Sequence, residues 1–211
     1  MTPYAPRCSG PTEAKLRQLG WRTLLTPTAR PPRPSDGMGY ALDNGAWYAH
    51  STSTPWDESG FAALVEQWGG GADWVVAPDI VCGGADSLAL SDMWIPRLLC
   101  ACRRVLLAVQ DGHSVEEVGS RLSQRVGLFI GGSTEWKLST LPQWGRLARD
   151  KSCWLHVGRV NTARRIRACA SAGASSFDGS SPVQFPSTLP ALDHARRQPD
   201  MFGGAAWSSS C

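Results

Sequence analysis

The sequence predicts an α/β protein, a compact (β/α)8 barrel built as a single domain. Eight short apolar runs alternate with segments of helical spacing, and each run ends in a polar residue or a glycine. This alternation favours a parallel sheet that closes into a barrel. Most runs lack an apolar–polar alternation, as expected for strands that are buried on both faces. The 211 residues fit one domain with a full core, although barrels of this kind usually have ~250 residues.

The predicted strands are the apolar runs themselves. They are short and mostly aliphatic, and glycine, proline or aspartate bounds most of them, which is typical of strand ends. The strands are predicted at residues 4–8, 21–26, 39–42, 73–77, 105–109, 126–130, 153–157 and 175–177.

The predicted helices lie between these strands. Phe61, Leu64, Val65 and Trp68 recur at helical spacing, and Ser114 begins a capping-box pattern. Residues 28–37 are rich in Pro, Arg and Gly and predict a loop, as does the polar segment before residue 56. A domain of residues 1–200 is expected to end in a flexible tail, residues 201–211. The helices are predicted at residues 11–19, 56–68, 87–102, 114–122, 141–149, 161–172 and 189–197.

The composition is that of a globular protein. Hydrophobic residues make up 42% of the chain and charged residues 18%, which excludes a disordered polymer. The net charge of +3 permits a nucleic-acid partner but does not require one. The seven cysteines form no CxxC pair and no Cys–His cluster, so we expect reduced thiols and a cytoplasmic location. No apolar signal core and no run of about 18 apolar residues is present.

Seven residues stand at the predicted carboxyl ends of strands, where barrels of this class carry their active sites. Two carboxylates can divide the cleavage of a glycosidic bond, since one attacks the anomeric carbon and the other handles the leaving-group proton. Asp with Gln matches the donor–acceptor face of a purine, and paired glycines admit a flat ring. Each residue taken singly is also explained as a cap at a strand end. The seven are Asp43, Asp79, Gln110, Gly131, Gly132, Gly158 and Asp178.

Six short motifs resemble those of the tRNA-guanine transglycosylase superfamily and follow the same order. The resemblance is closest to the DpdA-like branch of phages and bacteria, which acts on DNA, and it covers roughly residues 42–178. Each motif falls at the end of a predicted strand. The motifs are DNGAW at 43–47, APD at 77–79, VQDG at 109–112, IGG at 130–132, HVGR at 156–159 and FD at 177–178.

This resemblance implies a base exchange in which guanine in DNA is replaced by a 7-deazaguanine such as preQ0. Asp178 would attack C1′ of the nucleotide and form a covalent glycosyl-enzyme. Asp43 would be the acid/base partner of the departing and arriving bases, while Asp79 and Gln110 would hydrogen-bond the base. No cofactor is implied. The base site would also be lined by Gly131, Gly132 and Gly158.

The chain departs from the family pattern in three ways. It lacks the Cys–His cluster of the tRNA enzymes, so we predict no zinc site, and this absence favours DNA over tRNA. Ala46 replaces the second glycine of the first motif, and Asp111 displaces the glycine after Gln110. Both changes are expected to alter the shape of the base pocket.

Basic residues near the seventh strand predict contacts with nucleic-acid phosphates. They lie on the loop and helix that follow this strand, with one lysine in the preceding loop. The alternative is a solvated helix face. These residues are Arg159, Arg164, Arg165, Arg167 and Lys137.

Three other functions stay open at this stage. The same exchange could act on tRNA, water could replace the incoming base, or the chain could be a non-catalytic barrel that binds nucleic acid. A pure binder has no need of an attacking carboxylate, which argues against the last. Whether a partner protein or a second copy is required also stays open.

Overall fold

The computed structural model describes residues 1–29 and 33–198, which form a closed barrel of eight parallel strands. Each strand pairs with its neighbours in chain order, and β8 closes the ring on β1. The predicted (β/α)8 architecture is therefore confirmed. Residues 30–32 of the predicted loop and the predicted tail lie outside the described residues. The strands are β1 Thr2–Pro6, β2 Arg22–Leu25, β3 Tyr40–Leu42, β4 Val75–Val76, β5 Val105–Val109, β6 Val126–Ile130, β7 Leu155–Val157 and β8 Ser176–Asp178.

Helices surround the barrel and cover the outward faces of its strands. Short 3-10 helices at Gly69–Gly71 and Pro186–Thr188 extend two of the connections. None of the helices within the described ranges has the length and hydropathy needed to cross a membrane. The helices are α1 Gly10–Gln18, α2 Ala46–Thr52, α3 Glu58–Trp68, α4 Gly84–Ala101, α5 Val115–Gly119, α6 Thr134–Asp150, α7 Ala163–Ser171, α8 Ser181–Gln184 and α9 Leu189–Arg197.

Three helices differ most from the prediction. Helix α8 lies in a segment for which no helix was predicted. Helix α2 occupies part of the segment that was expected to be a polar loop. Helix α6 begins one and a half to two turns earlier than predicted, because the Ser133 side chain caps it by accepting a hydrogen bond from the Trp136 amide. Pro142 lies inside this helix, although proline is typical of a helix start, and this explains the late predicted boundary.

Aromatic side chains fill the barrel interior around one histidine. The ring centroids of Trp74, Phe129 and Tyr4 lie 4.5, 4.9 and 5.9 Å from that of His156. Phe129 is the register partner of His156 on the adjacent strand β6, whereas Tyr4 on β1 and Trp74 just before β4 come from other parts of the ring, so the four side chains meet inside it. Tyr4 also donates a hydrogen bond of 2.8 Å to Asp73, and burial followed by this carboxylate raises the pKa of the phenol. The interior is therefore packed, and the polar groups that remain lie towards the strand ends.

Helix α9 fastens the end of the described chain to the start of the barrel. Its Asp193 is buried and accepts a hydrogen bond of 3.0 Å from the indole of Trp21. The same carboxylate pairs with Arg196 at 2.8 Å and with Arg197 at 2.8 Å. One carboxylate thus satisfies a buried indole donor and two cationic side chains, and it ties α9 to the residue that precedes β2.

Candidate active site

A pocket of about 560 Å³ opens at the carboxyl ends of the strands, the end that the sequence indicated. Six of the seven predicted strand-end residues line it, and Gly158 lies just behind Asp178. Aromatic and small side chains complete the wall. The lining consists of Thr26, Asp43, Asn44, Gly45, Trp47, Tyr48, His50, Val76, Asp79, Val81, Cys82, Ala108, Val109, Gln110, Asp111, Phe129, Gly131, Gly132, Ser133, Arg159 and Asp178.

Asp178 ends β8 and presents its carboxylate to this pocket. The residue is 8% exposed, and each of its carboxylate oxygens accepts a hydrogen bond from an N–H group. The His156 ring approaches Oδ2 at 3.0 Å, and the Arg159 backbone amide donates to Oδ1 at 3.1 Å. The backbone carbonyl of Asp178 accepts from Val160. The carboxylate is therefore held in one orientation by groups from β7 and the turn that follows it.

His156 is fully buried beneath Asp178. Its Nδ1 lies 2.8 Å from the Ser176 hydroxyl, and its Nε2 faces Asp178. Burial lowers the pKa of the imidazole, although the neighbouring carboxylate opposes this effect, so the ring is neutral near pH 7. The sequence placed His156 in the HVGR motif but did not identify Asp178 as its partner.

Gly158 lets Asp178 and Phe129 approach the turn after β7. A Cβ atom added here would lie 2.9 Å from Phe129 Cζ and 3.4 Å from Asp178 Oδ2. The Gly158 carbonyl accepts a hydrogen bond from Lys137 Nζ. Lys137 was predicted to lie in a loop, and this placement is wrong, whereas its predicted contact with a phosphate stays a prediction. It lies in α6, it is 5% exposed, and its ammonium group is directed to this carbonyl.

Asp43 follows β3 at the opposite side of the pocket from Gly158. Its Oδ1 accepts a hydrogen bond of 2.7 Å from the amide of Gly45, whose φ of 79° is favourable only for glycine. Burial raises the pKa of the Asp43 carboxyl to about 7, and the negative charges of Asp178 and Asp79 add to this effect. Both the protonated and the ionised form of Asp43 are therefore populated near neutral pH.

Asp79 is oriented by two amide side chains. Asn44 donates to its Oδ1 at 2.7 Å, and Gln110 donates to its Oδ2 at 3.1 Å. Burial raises the pKa of Asp79, although the bond from Asn44 opposes the shift. Each carboxylate oxygen has a further lone pair, so Asp79 can accept additional hydrogen bonds from a ligand. Asn44 was not singled out from the sequence, and its place beside Asp43 in the DNGAW motif was the available signal.

Nearly all hydrogen-bond donors and acceptors of the Gln110 side chain are paired with other groups of the protein. Its Nε2 donates to the Ile80 carbonyl at 2.9 Å as well as to Asp79. Its Oε1 accepts from the Cys82 amide at 2.9 Å, which leaves one lone pair on Oε1. In this arrangement Gln110 fixes Asp79 and the turn from residue 80 to residue 82.

The glycine pair after β6 is fitted around Asp111. Gly132 has a φ of 70°, and a Cβ atom there would lie 2.4 Å from Asp111 Oδ2. Asp111 accepts two hydrogen bonds of 2.6 Å, one from the Ser133 amide and one from its hydroxyl. Gly131 lines the pocket with its backbone. Asp111, which stands where the sequence pattern has a glycine after Gln110, therefore closes one edge of the pocket.

Arg159 crosses the mouth of the pocket. Its guanidinium donates to the Gly132 carbonyl and lies 4.1 Å from the ring centroid of Trp47. Trp47 is 49% exposed on α2. The three arginines of α7 do not line the pocket. Of these, Arg164 and Arg167 are exposed and Arg165 is partly buried.

No model of a known protein family matches the sequence, and no curated protein matches it significantly. The resemblance to the tRNA-guanine transglycosylase superfamily therefore rests on the six motifs and stays a prediction. Within the described ranges, no three His, Cys, Asp or Glu side chains are grouped so that they could hold a metal ion.

Proposed function

We propose that this protein exchanges guanine in DNA for a 7-deazaguanine through a covalent intermediate on Asp178. The observation that carries the proposal is the contrast between two carboxyl groups in one pocket. Asp43 has a pKa of about 7, whereas Asp178 is held by two N–H donors. Carboxyl pairs in unlike environments divide into a proton carrier and a nucleophile.

The reaction would proceed by two displacements at C1′. In the first, an oxygen of Asp178 bonds to C1′ while the bond to N9 of guanine breaks, and Asp43 gives its proton to the departing base. In the second, Asp43 takes the N9 proton of the incoming base. That nitrogen then attacks C1′, and the ester electrons return to Asp178. The sugar configuration is retained, as in two-step glycosidases, and both carboxyl groups regain their initial states.

The carboxylate of Asp79 favours the binding of guanine over adenine as the leaving base. Its carboxylate accepts hydrogen bonds, and guanine offers N1–H and N2–H donors on one edge, whereas adenine has a lone pair at N1. A 7-deazaguanine keeps the same edge, since the change from nitrogen to carbon is at position 7. Asn44 and Gln110 keep Asp79 in place for this contact.

The choice of DNA rests on the resemblance to the DpdA-like branch. A base in a duplex must leave the stack before its C1′ can be reached, and the pocket of about 560 Å³ is large enough for one nucleotide but too narrow for a helix. A tRNA substrate would use the same chemistry, so the experiment must include both nucleic acids.

The proposal is tested by nucleoside mass spectrometry after incubation with guanine-containing DNA and preQ0. We expect the deazaguanine deoxynucleoside with the wild-type chain and none with Asp178→Asn, which keeps an acceptor for the Arg159 amide. Modified tRNA alone would move the reaction to tRNA. Free guanine released without incorporation would indicate a hydrolase. Absence of product with either nucleic acid, from a folded chain, would refute the proposal.

A further inference from the structure

A chain of four buried or partly buried polar side chains ends at the carboxylate of Asp178. The indole Nε1 of Trp154 lies 2.7 Å from the Ser176 hydroxyl, and this hydroxyl lies 2.8 Å from His156 Nδ1. His156 Nε2 then lies 3.0 Å from Asp178 Oδ2. All four residues lie on or beside β7 and β8, and His156 and Ser176 are register partners in the sheet, which brings together the two side chains of the middle hydrogen bond.

The direction of the hydrogen bonds follows from the chemistry of the two ends, because the indole of Trp154 only donates and the ionised carboxylate of Asp178 only accepts. An indole nitrogen only donates, so Ser176 Oγ accepts from Trp154 and its own proton is free to point to His156 Nδ1. A neutral imidazole that accepts at Nδ1 carries its proton at Nε2. That proton faces Asp178, and the carboxylate is the matching acceptor.

We infer that His156 is a positioning residue for Asp178, locked by Ser176 as the Nε2–H tautomer so that one oxygen of the carboxylate is always held. This inference rests on the proposed function. In the first displacement the bond would aim the carboxylate at C1′. In the second, the same N–H would stabilise the negative charge that returns to Asp178 when the ester breaks.

The surroundings keep the imidazole neutral. Trp74 and Phe129 cover the ring, and it is fully buried. The titratable groups that face it are Asp178 from β8, Tyr4 from β1 and Lys137 from α6. The carboxylate raises the pKa of the ring, but burial and the Lys137 charge lower it. A neutral donor orients the carboxylate without neutralising it.

The tautomer is measured by nitrogen-15 NMR of the intact protein. The chain has four histidines, and the signals of His156 are those that vanish in His156→Gln. We expect a protonated Nε2 and an unprotonated Nδ1 in the wild type. Ser176→Ala removes the hydroxyl that donates to Nδ1 and is expected to populate the tautomer of His156 that is protonated at Nδ1. The matched control is Ser175→Ala, because the Ser175 hydroxyl contacts the Leu155 amide instead.

The role in the reaction is measured by rates of base exchange. His156→Leu removes the N–H donor and is expected to reduce kcat about 100-fold or more, with a KM for the incoming base that changes little. His156→Gln places an amide N–H near the position of Nε2 and is expected to recover part of the rate. In Ser176→Ala, protonation of the ring would restore the donor, so the optimum is expected to move to lower pH.

Three results would overturn the inference. They are a protonated Nδ1 in the wild-type spectrum, an exchange rate unchanged in folded His156→Leu, and equal losses in His156→Leu and His156→Gln with no pH shift in Ser176→Ala. Absence of exchange by the wild type would refute the proposed function instead. The NMR experiment requires no turnover and still decides whether the tautomer is locked.

Discussion

Replacement of Asp43 by asparagine is expected to stabilise the fold near pH 8 while it abolishes base exchange. The carboxyl has a pKa of about 7 in the folded chain against an ordinary value of 3.8. The folded state therefore binds this proton more tightly, and the resulting stability is present below about pH 4 and lost as the pH rises through about 7. Asparagine keeps the acceptor for the Gly45 amide and carries no charge.

The magnitude follows from the two pKa values. At about 1.4 kcal/mol for each pKa unit, the difference between 3.8 and about 7 corresponds to about 4 kcal/mol near pH 8. The gain falls below about 1 kcal/mol near pH 4, because this pH lies close to the ordinary pKa of 3.8 that applies to the unfolded chain. For a chain of this length, 4 kcal/mol raises Tm by roughly 8–16 °C.

The assay is thermal unfolding of the wild type and Asp43→Asn at both pH values. Asp150→Asn, at the exposed end of α6, is the control for the loss of one negative charge. A gain of equal size at both pH values, or a loss near pH 8, would refute the reasoning about burial and repulsion. Retained base exchange in Asp43→Asn would remove Asp43 as the proton carrier.

Two further predictions concern packing away from the pocket. Gly145→Ala would place a Cβ atom 2.2 Å from the Ala172 carbonyl, so we expect a loss of about 1–3 kcal/mol in urea unfolding. The control is Gly70→Ala, in which the added Cβ atom meets nothing within 4 Å, and we expect it to change the free energy of unfolding by less than about 0.5 kcal/mol. Equal losses of stability in the two variants would contradict this reasoning. Asp193→Ala leaves the Trp21 indole without its acceptor and should cost about 2 kcal/mol, and a neutral result would show that water replaces it.

The strands could be predicted where the sequence buries both of their faces. The central strands β5 and β6 agree with the prediction to the residue, since each is a five-residue run that carries no charge. Strand β4 has only two residues, although the backbone on either side still hydrogen-bonds to the neighbouring strands, from Asp73 to Tyr40 and from Ala77 to Leu106. A run of apolar residues in the sequence does not distinguish the residues of a strand from the buried residues that flank it.

The sequence could predict which residues lie at the strand ends of the site, but it could not predict the hydrogen bonds that join them. The rule that barrel sites lie at carboxyl ends brought Asp43, Asp79 and Asp178 together. The partners could not be derived in this way, because they depend on register between strands and on side-chain direction. His156 reaches Asp178 across β7 and β8, and Gln110 turns towards Asp79 and the protein backbone.

The contact between Arg159 and Trp47 has a consequence for the rate at which ligands would enter and leave the pocket. Arg159 follows β7 and Trp47 follows β3, so their contact joins opposite sides of the ring above the pocket. Under the proposed function, an entering nucleotide and a leaving base would both have to pass this contact, and the opening of such a cover limits the rate of many enzymes. If the proposal holds, Arg159→Ala is expected to speed the release of the product base and to weaken the binding of the nucleic acid, which single-turnover and steady-state rates of exchange would separate.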